Sequence, residues 1–326
     1  NNAAVSTGVG AGSDISVAAA GAGGSGTFAG NSLTLAGTGT FALGNANNVV
    51  TFAAATNGAI TFNDTNGFSL GGSGVSSTNN AISLSTTAGG MDIAQPLNAG
   101  SATLTLNVAA GVSGNAGAIT AGTLTFGGGT AYTLTNAANN VTNLDGTTTG
   151  AISFTDADGL TITGLASTNT NITINASGLL TVTGLVDAGT GDVSLTAAGV
   201  TQSGAGAITS DDLLLAGTGT FNLGGANNVA TFAAGTTGAV TFSDTNGFSL
   251  SGGIATGNSA VSLTAASGTL TIDQTVNAGT STVTLTANDL DISAAVTGNG
   301  GIAIAPFTAA TTVGVGAGAG TLSIDT

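Results

Sequence analysis

The chain repeats itself, and that constrains its fold more than any other feature. Residues 33–44 read LTLAGTGTFALG, and residues 213–224 read LLLAGTGTFNLG at an offset of 180. Residues 58–70, GAITFNDTNGFSL, return at the same offset as GAVTFSDTNGFSL over 238–250. A looser copy, GAISFTDADGLTI, lies between them at 150–162, and the phrase NAG at 98–100 returns as DAG at 187–189 and NAG at 277–279. Three copies of about 90 residues follow, at 27–117, 118–206 and 207–296, with a tail over 297–326.

A finer rhythm runs inside each copy. Apolar–polar–apolar segments such as Leu33–Leu35, Phe41–Leu43, Ile60–Phe62, Phe68–Leu70, Ile82–Leu84 and Leu104–Leu106 recur every seven to eleven residues. Alternation with period 2 puts the apolar side chains on one face and Thr, Ser or Asn on the other. Gly, Asn, Asp and Ser fill the gaps between segments, as turn residues do. With 56 Gly, no helical stripe at i, i+3, i+4 survives. Segments this short do not suit a sandwich, whose strands usually run to about five or six residues.

The pattern predicts an all-β parallel β-helix (β-solenoid). Each segment pairs with its equivalent one coil above and one below, and Gly and Asn turn the corners. About three short strands per coil need roughly 20–25 residues, so the chain divides into roughly 15 coils. At ~4.8 Å per coil that is one continuous solenoid of about 70 Å. Recurring aromatics, Phe41 with Tyr132 and Phe221, and Phe62 with Phe154 and Phe242, are expected to stack in its core.

The amino-acid alphabet then excludes most functions. There is no Lys, Arg, His, Cys or Trp, and all 15 acidic residues are Asp, giving a net charge of −15. Without basic residues nothing releases counterions from a phosphate backbone, so no nucleic-acid partner is expected. Anionic lipid surfaces lack a partner for the same reason. No apolar run approaches the ~18 residues of a membrane helix, so no membrane insertion is expected. Catalytic triads, Cys–His pairs, Schiff-base lysines, zinc sites and P-loops lack their essential residues. The sequence therefore predicts no enzyme and no cofactor. Disorder is the other reading of so much glycine. The 41% apolar content, set in a regular short pattern, argues against it.

Four aspartates are candidate ligands for a weakly held calcium ion. Asp156-Ala157-Asp158-Gly159 begins like a calcium loop, and Asp64 and Asp244 hold the matching place in the other copies. Ca²⁺ takes six to eight oxygens and no Glu is present to close such a site. Asp and Asn also bond their own backbone in turns, which explains the same residues without an ion. Asp211-Asp212 and Asp289-Leu290-Asp291 are the remaining carboxylate pairs. They could serve a polysaccharide-acting enzyme in spacing, but nothing basic or aromatic accompanies them to hold a sugar.

Thr-apolar-Thr triplets surround Leu104, Leu124, Leu134, Ile162, Val182, Leu270 and Leu285. They suggest a glycan- or ice-binding face, but their uneven gaps predict no single long Thr row. Asn47-Asn48, Asn139-Asn140 and Asn227-Asn228 recur one long repeat apart, too far to stack on each other, and read as corner residues.

Some of these phrases also resemble a known family. LTNAANNVTNLDGTTTGAISFTDADGLTITG at 134–164, GVTQSGAGAIT at 199–209 and the tail ATTVGVGAGAGTLSIDT at 310–326 look like the repeat region of filamentous haemagglutinin-like bacterial exoproteins. The resemblance implies a right-handed parallel β-helix that is secreted to the extracellular space or the bacterial cell surface, inside a longer parent chain. The return of GVGAG (8–12) at 314–318 fits a unit cut from a longer array. Together these readings predict the structural or adhesive shaft of an extracellular fibre, sheath or adhesin. Its expected partners are copies of itself, end to end or side by side, and glycans or a host surface.

Overall fold

The computed structural model describes residues 12–309 and the backbone of 313–315 and 322–324. Both GVGAG phrases lie almost entirely outside the described residues, as does most of the 310–326 phrase. Among the described residues the regular structure is β-strand and no helix occurs. The strands are parallel and stack coil on coil, so the fold is the predicted β-solenoid. The chain divides into two compact units, Asn1–Leu160 and Thr161–Thr326.

In the first unit, Ala22, Phe41, Ile60, Ile82, Leu104, Leu124 and Leu144 are successive register partners. These seven tiers are 19 to 22 residues apart, at the short end of the expected coil. A second face carries Phe68, Met91, Val112, Tyr132 and Ile152. A third carries Val75, Leu97 and Ile119.

The second unit repeats the scheme. Leu180, Val200, Phe221, Val240, Val261, Val283 and Ile302 form one column of seven tiers. Ile172, Val193, Leu213, Phe232 and Leu250 form another. Leu165, Val186 and Ile208 begin the third face.

Strand lengths depart from the expected three residues. Elements run from 2 residues to 16, as in Phe41–Thr56 and Phe221–Thr236. In these two the chain passes from one face to the next while keeping strand geometry, with register shifts where it bends. Both share one inside–outside pattern along all 16 positions, although four of the residues differ.

The interior between the corners is apolar. Leu, Ile, Val and Phe side chains stack tier on tier, most of them fully buried. Phe41, Phe62, Tyr132, Phe154, Phe221 and Phe242 are all core residues, as expected. The stacks form within each copy. Phe52 lies flat on Phe62, with centroids 4.0 Å apart and planes 4° from parallel, and Phe232 lies on Phe242 at 4.3 Å and 8°. Phe68 and Phe248 close each stack edge-on at 5.1 Å. In the middle copy Phe126 and Tyr132 stack at 4.7 Å, at another place in the coil. The Tyr132 hydroxyl lies 2.8 Å from the Gly127 carbonyl and 3.0 Å from that of Leu106, and accepts the Val108 amide at 3.1 Å.

Replacing Phe242 by Ala removes one ring from its stack and leaves a cavity that the neighbouring coils cannot close. It is expected to lower stability by about 3–5 kcal/mol, read as a shift of the urea midpoint.

Candidate functional site

The chemistry-bearing residues collect at the corners of the coils. A strand that runs Ile60-Thr61-Phe62-Asn63-Asp64 alternates strictly, so Asp64 faces inward in line with Ile60 and Phe62. Asp156 and Asp244 follow the same parity behind Phe154 and Phe242. All three carboxylates are fully buried. Asn47, Asn139 and Asn227 are fully buried too, and each lies 17 residues before one of these aspartates.

Each Asn–Asp pair closes a corner across successive coils. Asn47 Oδ1 accepts the Phe28 amide of one coil at 2.8 Å, while its Nδ2 donates to the Asn63 carbonyl of the next at 2.9 Å. Asn139 binds the Ile119 amide at 2.9 Å and the Thr155 carbonyl at 3.1 Å. Asn227 binds the Ile208 amide and the Ser243 carbonyl, both at 2.9 Å. The aspartate then returns the link. Oδ2 of Asp64, Asp156 and Asp244 accepts the amide of Val49, Val141 and Val229 respectively, each at 2.9 Å. Two of the staples gain a further amide from the preceding coil. Asn115 Nδ2 donates to Asn139 Oδ1 at 2.7 Å, and Gln202 Nε2 donates to Asn227 Oδ1 at 2.6 Å.

The other oxygen of each aspartate caps its own turn. Asp64 Oδ1 accepts the amides of Asn66 (2.9 Å) and Gly67 (3.0 Å). Asp156 Oδ1 accepts that of Asp158 at 3.1 Å, and Asp244 Oδ1 that of Asn246 at 2.8 Å. Both oxygens of Asp64, Asp156 and Asp244 therefore face N–H hydrogens, as in a turn. Asp158 stands outside, where its Oδ2 accepts Asn140 Nδ2 at 3.2 Å. Among the described residues no group of three or more acidic side chains is placed to hold a metal ion.

Burial is the main cause of the altered acidity here. It raises Asp244 above the ordinary carboxylate range. Asp156 is pushed up to about 6, first by burial and further by the neighbouring Asp158. Copies one and three carry Asn66 and Asn246 where the middle copy carries Asp158.

A second corner type uses left-handed asparagines. Asn79, Asn169 and Asn258 have φ of 54°, 55° and 76°. Their Oδ1 atoms accept the amides of Ser101, Thr190 and Thr280 one coil on, at 2.9, 3.1 and 3.1 Å. The recurring NAG/DAG phrase is the facing turn. Gly100, Gly189 and Gly279 are left-handed there, and a Cβ on any of them would lie within 2.3 Å of the asparagine Oδ1. Only glycine fits that position.

Thr and Ser hydroxyls complete the corners. Thr56, Thr148 and Thr236 turn inward and donate to the carbonyls of Gly58, Gly150 and Gly238 at 2.8, 2.6 and 2.8 Å. Sequence spacing alone did not single out these hydroxyls. Parity does: each continues the inward set of its strand.

Outside, the polar residues form rows that triplet spacing had not predicted. Thr61, Ser83, Thr105 and Thr125 are successive register partners, with Asn63, Ser85 and Asn107 beside the first three. In the second unit the row runs Thr181, Thr201, Asn222, Thr241, Ser262, Thr284. The Thr triplets are thus parts of mixed Thr/Ser/Asn rows set by coil register.

The remaining carboxylate pairs stay at the surface. Asp212 Oδ1 accepts Thr231 Oγ1 (2.8 Å) and Ser251 Oγ (2.6 Å), while Asp211 is exposed. Asp289 and Asp291 are exposed and lie in register with Thr269 and Thr271. A shallow groove of about 370 Å³ lies over Phe68, Met91 and Val50, with Ser69 Oγ donating to Asp92 Oδ2 at 3.0 Å.

Comparison with protein-family models, with curated proteins and with solved structures finds no match.

The Asp156–Asp158 pair makes a pH-dependent prediction. A buried carboxyl with a raised pKa favours the native state while protonated, so its contribution is greatest below the unfolded value near ~3.9 and is lost as pH rises through about 6. Asp158→Asn restores the spelling of the other copies and removes the neighbouring charge. It is expected to raise the urea midpoint at pH 7 and leave it unchanged near pH 4. Midpoints measured across that range check both arms.

Proposed function

We propose that this chain is a stretch of the shaft of a bacterial extracellular fibre, sheath or adhesin, and that its task is mechanical. The observation that carries this reading is the set of buried Asn–Asp staples at Asn47/Asp64, Asn139/Asp156 and Asn227/Asp244. Each one ties three successive coils with bonds shielded from water. Buried hydrogen bonds are expensive to leave unmade. Coils joined in this way resist being peeled off one at a time, which is the load a shaft bears.

The resemblance of 134–164 and 199–209 to filamentous haemagglutinin-like repeats supports secretion and surface display. The alphabet supports the same setting. A chain with no Lys or Arg offers trypsin-like proteases no cleavage site, and one with no Cys has no thiol to oxidise. Self-association, end to end or side by side, follows from the same reading.

Pulling the whole chain by its ends in a force spectrometer tests the proposal. Stepwise resistance is expected, with steps about one repeat copy long, and Asn227→Ala is expected to lower the force of one step. Its removal strands the Ile208 amide and the Leu223 and Ser243 carbonyls, a loss of roughly 3 kcal/mol or more. Unravelling at low, featureless force would overturn the mechanical reading.

A second reading, glycan binding, is favoured by the in-register hydroxyl and amide rows. They present donors and acceptors at one coil per step, ~4.8 Å apart, as a linear neutral polysaccharide would require. Retention on such a polysaccharide, abolished by Thr241→Lys with Thr284→Lys in a chain that still folds, is the expected result. No retention by the parent chain would remove this reading, and a freezing-point hysteresis in its place would assign the rows to ice.

A further inference from the structure

Four asparagines are followed by glycine: Asn57, Asn66, Asn246 and Asn299. Glycine has no side chain to shield its amide nitrogen, so this nitrogen is the least hindered nucleophile toward the preceding side-chain carbonyl. Two of the four form a natural internal control. Asn66 and Asn246 sit in identical heptapeptides, Asp-Thr-Asn-Gly-Phe-Ser-Leu, at 64–70 and 244–250. Both are exposed turn residues beside a buried staple aspartate.

The folded surroundings differ at the reacting nitrogen. Gly67 is left-handed, with φ of 108°, and its amide donates to Asp64 Oδ1 at 3.0 Å. Gly247 does not adopt that left-handed conformation, and Asp244 Oδ1 holds only the Asn246 amide, at 2.8 Å. Among the described residues the Gly247 amide carries no hydrogen bond. The nitrogen that must attack is thus tied in the first copy and untied in the third. Asn299 resembles the first case, since Gly300 donates its amide to the Ser281 carbonyl at 3.0 Å.

The middle copy shows that the fold accepts the product. It carries Asp158 at this turn position, with its amide on Asp156 Oδ1 and its carboxylate on Asn140 Nδ2. Asn246 makes the matching contacts, with its amide on Asp244 Oδ1 and its Nδ2 on Asn228 Oδ1 at 2.9 Å. An aspartate can replace it without a new backbone path.

We propose that Asn246 is a site of spontaneous deamidation in the folded protein, and that the Asp64 carboxylate protects its twin, Asn66. The Gly247 nitrogen attacks Cγ of Asn246 to form a C–N bond, and the Cγ–Nδ2 bond breaks. The amide proton leaves with the Nδ2 group as ammonia. Water then opens the five-membered imide at either carbonyl, yielding aspartate or isoaspartate. The net change is one water consumed and one ammonia released, with no redox partner. The product adds a negative charge beside Asp244, so the turn ages toward the spelling of the middle copy.

The test is to hold the full chain in mildly alkaline buffer, folded and in urea, and map both turns by mass after chymotryptic digestion. In urea the identical heptapeptides must react at the same rate. In the folded chain Asn246 is expected to gain about 1 Da roughly fivefold faster than Asn66, the factor that one lost hydrogen bond on the nucleophile implies. An Asn246→Gln chain confirms the assignment by losing the fast signal and keeping the slow one. Equal rates at the two sites when folded, or a faster Asn66, would overturn the proposal.

Discussion

A stacked parallel ladder satisfies the backbone of every strand from the coils above and below it, and it concentrates the unmet hydrogen bonds at the corners. There the chain must turn through about a third of a revolution without leaving a buried amide or carbonyl unpaired. In each unit the corners solve this with side chains aimed inward: an asparagine reaching into two coils, an aspartate returning the contact, and a threonine closing the turn. The apolar columns lie between these corners and are held in register by them. Coil length can vary from 17 to 23 residues because each corner is closed locally and does not depend on a fixed count.

The alphabet and the corners explain each other. A corner needs groups that can donate and accept in a confined space without bringing a second charge into the core. Asn, Gln, Ser and Thr do this while neutral. Asp does it only as an acceptor, and it is found where backbone amides converge on it, three at Asp64 and two at Asp244. Lys or Arg at such a place would bury a cation with no partner, at a cost of several kcal/mol. The narrow interior therefore accounts for the absence of basic residues from the corners.

Much of this was legible in the sequence. Alternation and the repeats reveal the solenoid, its coil length and the inward Phe, Leu and Ile. The buried staples stay hidden when an apolar–polar–apolar segment is read as ending at its last apolar residue. Carrying the same parity two residues on from Phe62 lands on Asp64, and stepping from Phe41 and Leu43 lands on Asn47 and Val49. Register was the other gap. The Thr triplets look uneven along the chain because the coils differ in length, and because Ser83, Asn222 and Ser262 complete rows that a search for Thr alone leaves broken. Which ring stacks on which also depends on register, so Phe52 and Phe62, ten residues apart in the sequence, meet only once the coils are laid on one another.

The middle copy shows how far a staple can drift and still close. It keeps Asn139 and Asp156 but has Ala157 where its neighbours have Thr65 and Thr245, whose hydroxyls bond the asparagine carbonyls at 2.9 and 2.8 Å. Ala157 keeps only the backbone bond to Asn139, at 2.7 Å. It also has Asp158 in place of a neutral Asn, so it loses a donor and gains a charge beside a buried carboxylate. Asn115 adds an amide to Asn139 from the preceding coil, as Gln202 does to Asn227, while among the described residues Asn47 Oδ1 accepts the Phe28 amide alone. Side chains exchange places around a corner whose backbone bonds stay constant. What is held across the three copies is the set of amides and carbonyls that must be paired, and the residue types follow from whichever neighbour can reach them.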